Sequence, residues 1–180
     1  MAFYFEVKNA LLNAHIMVLT GLFIAAGILL PIFFHGLGMG GAVFLPMHIP
    51  VLLGGLFLGW RPGLVIGLLT PALSCLLTGM PPLLPALPLM TAELSAYGAV
   101  AGLCSLKLCW NVYVALIAAM LAGRLAAALV LACFADLLGI HLTPLAYIAA
   151  SISHGLVGIV IQLAFIPFIV KKLQQFIPNL

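Results

Sequence analysis

The stretch LPMHIPVLLGGLFLGWRPGLVIGLLTPALSCLLTGMPP, residues 45–82, contains two apolar runs joined by the cluster Gly-Trp-Arg-Pro-Gly at 59–63. Glycine and proline favour turns, and arginine and tryptophan suit the headgroup interface of a lipid bilayer. The stretch therefore predicts two short membrane helices, 45–59 and 63–79, that are joined by a turn at 60–63.

The rest of the chain has the same character. Of its 180 residues, 66% are apolar and only 5% are charged, which is too little polar surface for a soluble domain. A spanning helix needs roughly 20 mainly apolar residues, and further segments of this kind occur at 16–34, 88–106, 111–134 and 145–170. The sequence predicts an all-α membrane protein, a bundle of six transmembrane helices that forms one domain over residues 1–180.

The cations predict the orientation of this bundle. Lys8, Arg61, Lys107 and the pair Lys171 and Lys172 all fall on one side of the predicted membrane, and the opposite loops carry no lysine or arginine. By the positive-inside rule both termini face the cytoplasm. The net charge of +3 is this topology signal, and it gives no reason to expect a nucleic-acid partner.

The two loops on the opposite side are unusual in composition. HGLGMGG at 35–41 is rich in glycine, and MPPLLPALP at 80–88 is rich in proline yet apolar. Irregular backbone at membrane depth persists only where protein or a water-filled cavity satisfies its polar groups. We expect these loops to cover a site on the outer face. The G-x-G-x-x-G match at 36–41 follows a predicted membrane helix and not a strand, so we interpret it as accidental.

Two charges lie deep in the predicted spans. Counted along the helix rise, Glu93 is about 8 Å and Arg124 about 15 Å below the outer end of its helix, which is the same layer within the error of the boundaries. Such residues usually face a bundle interior or a cavity. They can form a structural ion pair, contact one ligand, or do both. A ligand with a carboxylate would favour Arg124 through a bidentate contact.

Other polar residues share this outer layer. His48 and His154 fall at this depth. The last predicted helix has one polar or small face, made of Tyr147, Ser151, His154, Gly158 and Gln162. The fourth predicted helix has a similar face, made of Met90, Glu93 and Tyr97. Polar faces at one depth predict a binding cavity. The candidate substrate-binding residues are His48, Glu93, Tyr97, Arg124, Ser151 and His154.

Several of these residues also have structural interpretations. His48 could hydrogen-bond a carbonyl that Pro46 or Pro50 frees, and His154 could serve packing alone. His15, His35 and His141 lie near the predicted interfaces, where we expect them to be solvated.

The sequence gives little support for catalysis. Paired carboxylates, H-E-x-x-H, G-x-S-x-G and the P-loop are all missing, so we predict no catalytic, metal-binding or cofactor-binding residue in this chain. The cysteines at 75, 104, 109 and 133 form no C-x-x-C pair, and we interpret them as packing residues.

The chain resembles the substrate-binding S component of an energy-coupling factor (ECF) transporter. The resemblance lies in the size, the six predicted helices, the structured outer loop and the hairpin around Gly-Trp-Arg-Pro-Gly. The resemblance implies a subunit, not an enzyme, that binds a vitamin or related micronutrient near the extracellular side of a bacterial or archaeal cytoplasmic membrane. As partners of the protein, it implies a transmembrane scaffold subunit, two ATPase subunits that use the ATP, and the surrounding membrane lipid.

The resemblance also implies a docking surface of small residues on the first helix. Gly21 and Ala25 match this small-x₃-small pattern, with packing inside the chain as the alternative. Met47-His48-Ile49-Pro50 is similar to the mature N-terminus of the nickel and cobalt branch of the family. Here the motif is internal and lacks the free amine that binds metal.

Two other functions stay open at this point. The chain could be an integral membrane enzyme that uses Glu93, Arg124 and His154 on a lipid-soluble substrate, or a structural assembly subunit. For a binding subunit, the polar residues suit a pyridine or pyrimidine vitamin, pantothenate or a cobalamin-related molecule.

Overall fold

The computed structural model describes the backbone of residues 2–36, 44–138 and 143–176, and the side-chain environments of 14–36, 44–135 and 143–172. These residues form six helices: α1 Ala2–Gly36, α2 His48–Leu58, α3 Trp60–Thr78, α4 Ala86–Gly102, α5 Val112–Leu138 and α6 Pro144–Phe176. A π-helical turn, Leu103–Lys107, extends α4. Most of the glycine-rich loop at 35–41 and all of His141 lie outside the described residues.

The prediction of an all-α membrane fold is confirmed for the described residues, which contain no strand. Within the part of the chain that the structure describes, five segments are long and apolar enough to cross a membrane: Ala14–Gly36, Trp60–Thr78, Ala86–Lys107, Val112–Ala135 and Pro144–Lys172. The helix α2 has 11 residues. At 1.5 Å per residue it is about 16 Å long, short of the roughly 30 Å hydrocarbon layer, so a sixth complete span stays a prediction.

The turn between α2 and α3 differs from the predicted one. Gly59 alone breaks the helix, with φ 97° and ψ 179°, and Trp60 already begins α3. Proline is compatible with the first turn of a helix because the amide hydrogen it lacks would have no partner there. Pro62 therefore lies inside α3, and the predicted turn at 60–63 was wrong.

Glycines bring α2, α3 and α4 into backbone contact. A Cβ on Gly55 or on Gly63 would overlap the carbonyl oxygen of Gly98, and a Cβ on Gly67 would overlap that of Leu94. Small residues at helix crossings let backbones approach closely, which favours packing in a membrane. We call these three helices, joined through Gly55, Gly63, Gly67 and Gly98, the glycine core.

Cations gather at one end of the bundle, where α2 ends and α3 begins. Arg61 and Lys107 both lie over the ring of Trp60, at 5.2 and 5.7 Å from its centroid. Lys171 near the end of α6 lies 6.0 Å from the ring centroid of Tyr113 at the start of α5. We call this end the cation end and the opposite one the cavity end.

Candidate functional site

Three charged or ionisable side chains meet at the cavity end. The Nη1 atom of Arg124 lies 2.7 Å from Oε1 of Glu93, and Nε2 of His48 lies 3.5 Å from the same oxygen. Glu93 comes from α4, Arg124 from α5 and His48 from the first residue of α2. The three side chains are almost completely buried. The structure thus brings together residues that are far apart in sequence, as their common predicted depth indicated.

The start of α2 fixes His48 at this position. Leu45 has a positive φ of 49°, and its carbonyl accepts a hydrogen bond of 3.1 Å from the backbone N–H of His48. The imidazole packs edge-on against Tyr97, with ring centroids 5.3 Å apart. Neither ring nitrogen of His48 has a hydrogen-bond partner among the described residues, so the structure contains no bond to a carbonyl freed by Pro46 or Pro50.

The guanidinium of Arg124 is only partly satisfied. Its Nε and Nη2 atoms are buried and have no hydrogen-bond partner in the described part of the chain. The close contact of Nη1 with Glu93 is misaligned for a hydrogen bond, so the attraction between the two side chains is mainly coulombic. Buried donors without acceptors are costly and uncommon in folded proteins. These two donors therefore destabilise the folded state, and none of the described residues offsets that cost.

A cavity of about 660 Å³ opens beside the three side chains. Its volume falls within the roughly 300–1,000 Å³ typical of small-molecule sites. It is lined by residues from all six helices, from the segment just before α2 and from the α3–α4 loop: Pro31, Ile32, His35, Leu45, Pro46, Met47, His48, Ser74, Thr78, Met80, Pro81, Pro82, Ala86, Met90, Glu93, Arg124, Tyr147, Ser151 and His154.

Five of the six predicted substrate-binding residues line this cavity: His48, Glu93, Arg124, Ser151 and His154. The hydroxyl of Ser151 donates to the carbonyl of Ile148, and Nδ1 of His154 lies 2.8 Å from the carbonyl oxygen of Ala150, both within α6. These side chains therefore contribute to the wall while bonded to their own helix.

Tyr97 is the exception. Its side chain is 1% exposed and does not line the cavity. It lies behind His48, against the backbone of Gly123, where any Cβ would overlap the ring. The structure places Tyr97 as a support for His48 and not as a surface for a ligand.

Sequence reasoning missed several lining residues. Ser74 and Thr78 are one turn apart on α3, and both hydroxyls bond to backbone carbonyls near the helix end. His35, which we expected to be solvated, also lines the cavity, although it is exposed as predicted. The four-residue spacing of Ser74 and Thr78 was a signal that both side chains lie on one helix face. Nothing in the sequence distinguishes His35 as a lining residue.

The proline-rich loop takes part as predicted. Met80, Pro81 and Pro82 form one wall of the cavity. The residues of the glycine-rich loop from 37 onward lie outside the described residues, so their part in covering the site stays a prediction.

No group of three or more histidine, cysteine, aspartate or glutamate side chains forms a potential metal site within the described residues. All four cysteines are free, and those at 109 and 133 are exposed, which differs from their interpretation as packing residues. The prediction that the chain holds no cofactor of its own stays a prediction.

The predicted docking pair lies on an open surface of α1. Gly21 and Ala25 are both exposed, and a Cβ on Gly21 would meet nothing within 4 Å. Gly27, by contrast, is buried against Thr70 of α3. The face that carries Gly21 and Ala25 is therefore not used for packing among the described residues.

Comparison with known proteins identifies the family. The family model for the ECF transporter, substrate-specific component, matches residues 15–170. The chain belongs to this family. Searches of curated proteins and of solved structures gave no match.

Membership in the S-component family, together with the five apolar helices, makes the chain a multi-pass integral membrane protein. As an ECF S component, it is the substrate-binding subunit of a transporter and not an enzyme, and it interacts with ECF scaffold and ATPase subunits and with a small-molecule substrate.

Proposed function

We propose that this S component binds a vitamin or related micronutrient in the cavity beside Glu93 and Arg124. The site would face the outside of a bacterial or archaeal cytoplasmic membrane, and the bound molecule would be released inward with the scaffold subunit and two ATPase subunits. The observation that carries this proposal is the cavity of about 660 Å³ with the charge pair of Glu93 and Arg124 in its wall.

The distribution of charge supports the proposed orientation. Arg61, Lys107 and Lys171 lie at the cation end, where tryptophan and tyrosine rings contact them. An excess of cations is typical of the cytoplasmic side of membrane proteins, whereas tryptophan and tyrosine are enriched at both membrane interfaces. The cavity, at the opposite end, would then open outward.

The surface around Gly21 and Ala25 is our proposed docking site for the scaffold subunit. Both residues are exposed in an apolar helix that has few buried residues. Small residues would let a partner helix approach α1 closely. Gly21→Leu should therefore prevent copurification with the scaffold while leaving stability unchanged, because a Cβ at that position meets nothing within 4 Å.

Native mass spectrometry tests the proposed binding function. The protein is purified in mild detergent from cells grown in rich medium, and its mass is compared with that of the unliganded chain. We expect one small molecule per chain, which is released on unfolding and chemically unaltered. A protein that carries no small molecule, or one that carries a converted lipid, would contradict the proposal.

A matched pair of variants ties this result to the cavity. Ser151 lines the cavity, whereas Ser153 is exposed and outside the lining, and both hydroxyls donate to a carbonyl three residues earlier. Ser151→Phe should place a ring inside the cavity and displace the bound molecule. Ser153→Phe adds the same ring to the same helix and should leave the bound molecule in place.

A further inference from the structure

We infer that the bound molecule presents N–H donors on a largely apolar frame and carries no net negative charge. This inference rests on the proposed function. It specifies the substrate class of the same cavity, for which the sequence left both heterocycles and acids open. The physical basis is that the polar groups a ligand can reach in the described wall are almost all hydrogen-bond acceptors.

The serine and threonine side chains of the described wall have already used their hydrogens. Ser74 donates to the carbonyl of Met80, and Thr78 donates to the carbonyl of Ser74, both at 2.7 Å. Ser151 donates to the carbonyl of Ile148 at 3.0 Å. A hydroxyl group has one hydrogen and two lone pairs. These side chains can therefore accept a hydrogen bond from a ligand, but they have no hydrogen left to donate.

Two exposed histidines of the wall are bonded in a similar way. Nδ1 of His35 lies 2.7 Å from the carbonyl oxygen of Pro31, and Nδ1 of His154 lies 2.8 Å from that of Ala150. A carbonyl oxygen only accepts, so Nδ1 carries the hydrogen in both rings. In an uncharged imidazole, the prevailing form of histidine at neutral pH, Nε2 is then an acceptor. The two histidines come from α1 and α6, so separate walls of the cavity contain such an acceptor.

The backbone of the irregular segments adds few donors. Pro46, Pro81 and Pro82 line the cavity and have no amide hydrogen. The amide of Met80 donates to the hydroxyl of Thr78 at 3.2 Å. At these positions the backbone therefore has no N–H group left for a ligand.

The donors of Arg124 and His48 are out of reach. Nε and Nη2 of Arg124 and both ring nitrogens of His48 are buried, and Nη1 of Arg124 lies 2.7 Å from Oε1 of Glu93. The hydroxyl of Tyr147 is the remaining side-chain donor of the described wall, and it can equally accept. A carboxylate or phosphate on a ligand would lose its hydration without donors to replace it. The wall therefore disfavours an anion.

Much of the remaining wall is apolar. Ile32, Met47 and Met90 line the cavity together with the prolines. Such a surface accepts an aliphatic chain or the face of a ring. An amino or amide group on this frame supplies hydrogens to the acceptors, whereas an alcohol brings lone pairs that find few donors. The fit is therefore to an amine, an amide or an amino-substituted ring, and not to an acid.

Chemical analysis of the copurified molecule tests this inference separately from the proposed function. The molecule is released from the wild-type protein, its accurate mass is measured in H₂O and in D₂O, and its charge is determined by capillary electrophoresis at neutral pH. We expect a nitrogen-containing molecule that exchanges hydrogen for deuterium and does not migrate as an anion. A molecule that lacks nitrogen, exchanges no hydrogen or migrates as an anion would overturn the inference and leave the binding function intact. A protein without any small molecule would contradict both.

Two variants at Thr78 test the character of the wall itself. Thr78 is an exposed lining residue, so a longer side chain can be added there with little change in packing. Thr78→Glu adds acceptors, whereas Thr78→Lys adds donors at a similar reach. At equal amounts of folded protein, native mass spectrometry should find the copurified molecule on Thr78→Lys at about a third or less of its occupancy on Thr78→Glu. Equal occupancy of the two variants, or higher occupancy of Thr78→Lys, would overturn the inference.

Discussion

The helix α4 contributes to two regions of opposite character. At Gly98 its backbone touches the backbones of α2 and α3, with no room for a methyl group. Five residues earlier, Glu93 points into a layer with a cavity, an ion pair and donors without acceptors. One region is packed as closely as helices allow, and the other retains space and unsatisfied polar groups.

This difference separates stability from binding along a single helix. Close contact of glycine backbones holds α2, α3 and α4 together without depending on side chains. A site that must receive a polar molecule needs polar groups that the protein itself does not fully satisfy, and these reduce the stability of the empty state. We infer that the glycine core supplies the rigidity that the cavity layer lacks.

The largest effect should come from a side chain in the glycine core. In Gly98→Leu, the Cβ alone would overlap the backbone of Gly63, which cannot move aside as a side chain could. Overpacking typically costs about 1–3 kcal/mol and occasionally more, and we expect at least the upper end here because backbone meets backbone. We expect little or no folded protein by size-exclusion chromatography in detergent. Gly21→Leu is the control, because it adds the same side chain to an open surface, and equal yields of the two variants would contradict the close contact.

A large effect should also follow from breaking the buried ion pair. Arg124→Ala leaves the Glu93 carboxylate without its cation, which typically costs about 3–5 kcal/mol for a buried pair. We expect the lower end of this range, since Glu93 borders a cavity that water can enter. Thermal unfolding in detergent measures the loss.

The double variant Glu93→Gln with Arg124→Gln distinguishes charge from packing. It removes both charges and retains polar side chains, so most of the lost stability should return. If the double variant is as unstable as Arg124→Ala, the stability of this layer does not depend on charge pairing.

A smaller effect on binding should come from His48. The ring lies 3.5 Å from the Glu93 carboxylate and packs against Tyr97. His48→Ala removes one side chain of the cavity wall and the packing contact, so retention of the copurified molecule should weaken by about tenfold. Tyr97→Phe is the comparison variant. It keeps the ring behind His48, and a loss of binding as large as that of His48→Ala would mean that the Tyr97 hydroxyl contributes directly.

The smallest effect should come from His154. This residue is exposed, and its Nδ1 lies 2.8 Å from the carbonyl oxygen of Ala150 in its own helix. His154→Ala should change the affinity by less than about threefold, because a donor in contact with solvent contributes little net free energy. An effect equal to that of His48→Ala would show that the polar face of α6 is as important for binding as the buried layer.

The sequence predicted the helices well because each apolar run has a length set by the membrane and ends at glycine, proline or charge. It also predicted that Glu93 and Arg124 share a layer, since helix rise converts position into depth. Only the structure shows that the two side chains are in contact, with Nη1 of Arg124 2.7 Å from Oε1 of Glu93.

Other features could not be predicted in the same way. The four-residue spacing places Tyr97 on the same helix face as Glu93. Tyr97 lies one turn deeper, however, where it is buried and does not line the cavity. Proline is compatible both with a turn between helices and with the first turn of a helix. The sequence therefore did not show that the helix break lies at Gly59 alone and not at the predicted turn 60–63. The hydroxyls of Ser74 and Thr78 bond to nearby carbonyls, and a pattern of residues does not show which cavity their side chains also border.

The central claim is that the layer of Glu93 and Arg124 is a binding site and not only a structural ion pair. The most direct test is the ligand occupancy of the double variant Glu93→Gln with Arg124→Gln, measured by native mass spectrometry beside the wild type at equal amounts of folded protein. We predict a folded variant that carries little or none of the small molecule found on the wild type. A folded variant with wild-type occupancy would contradict the account.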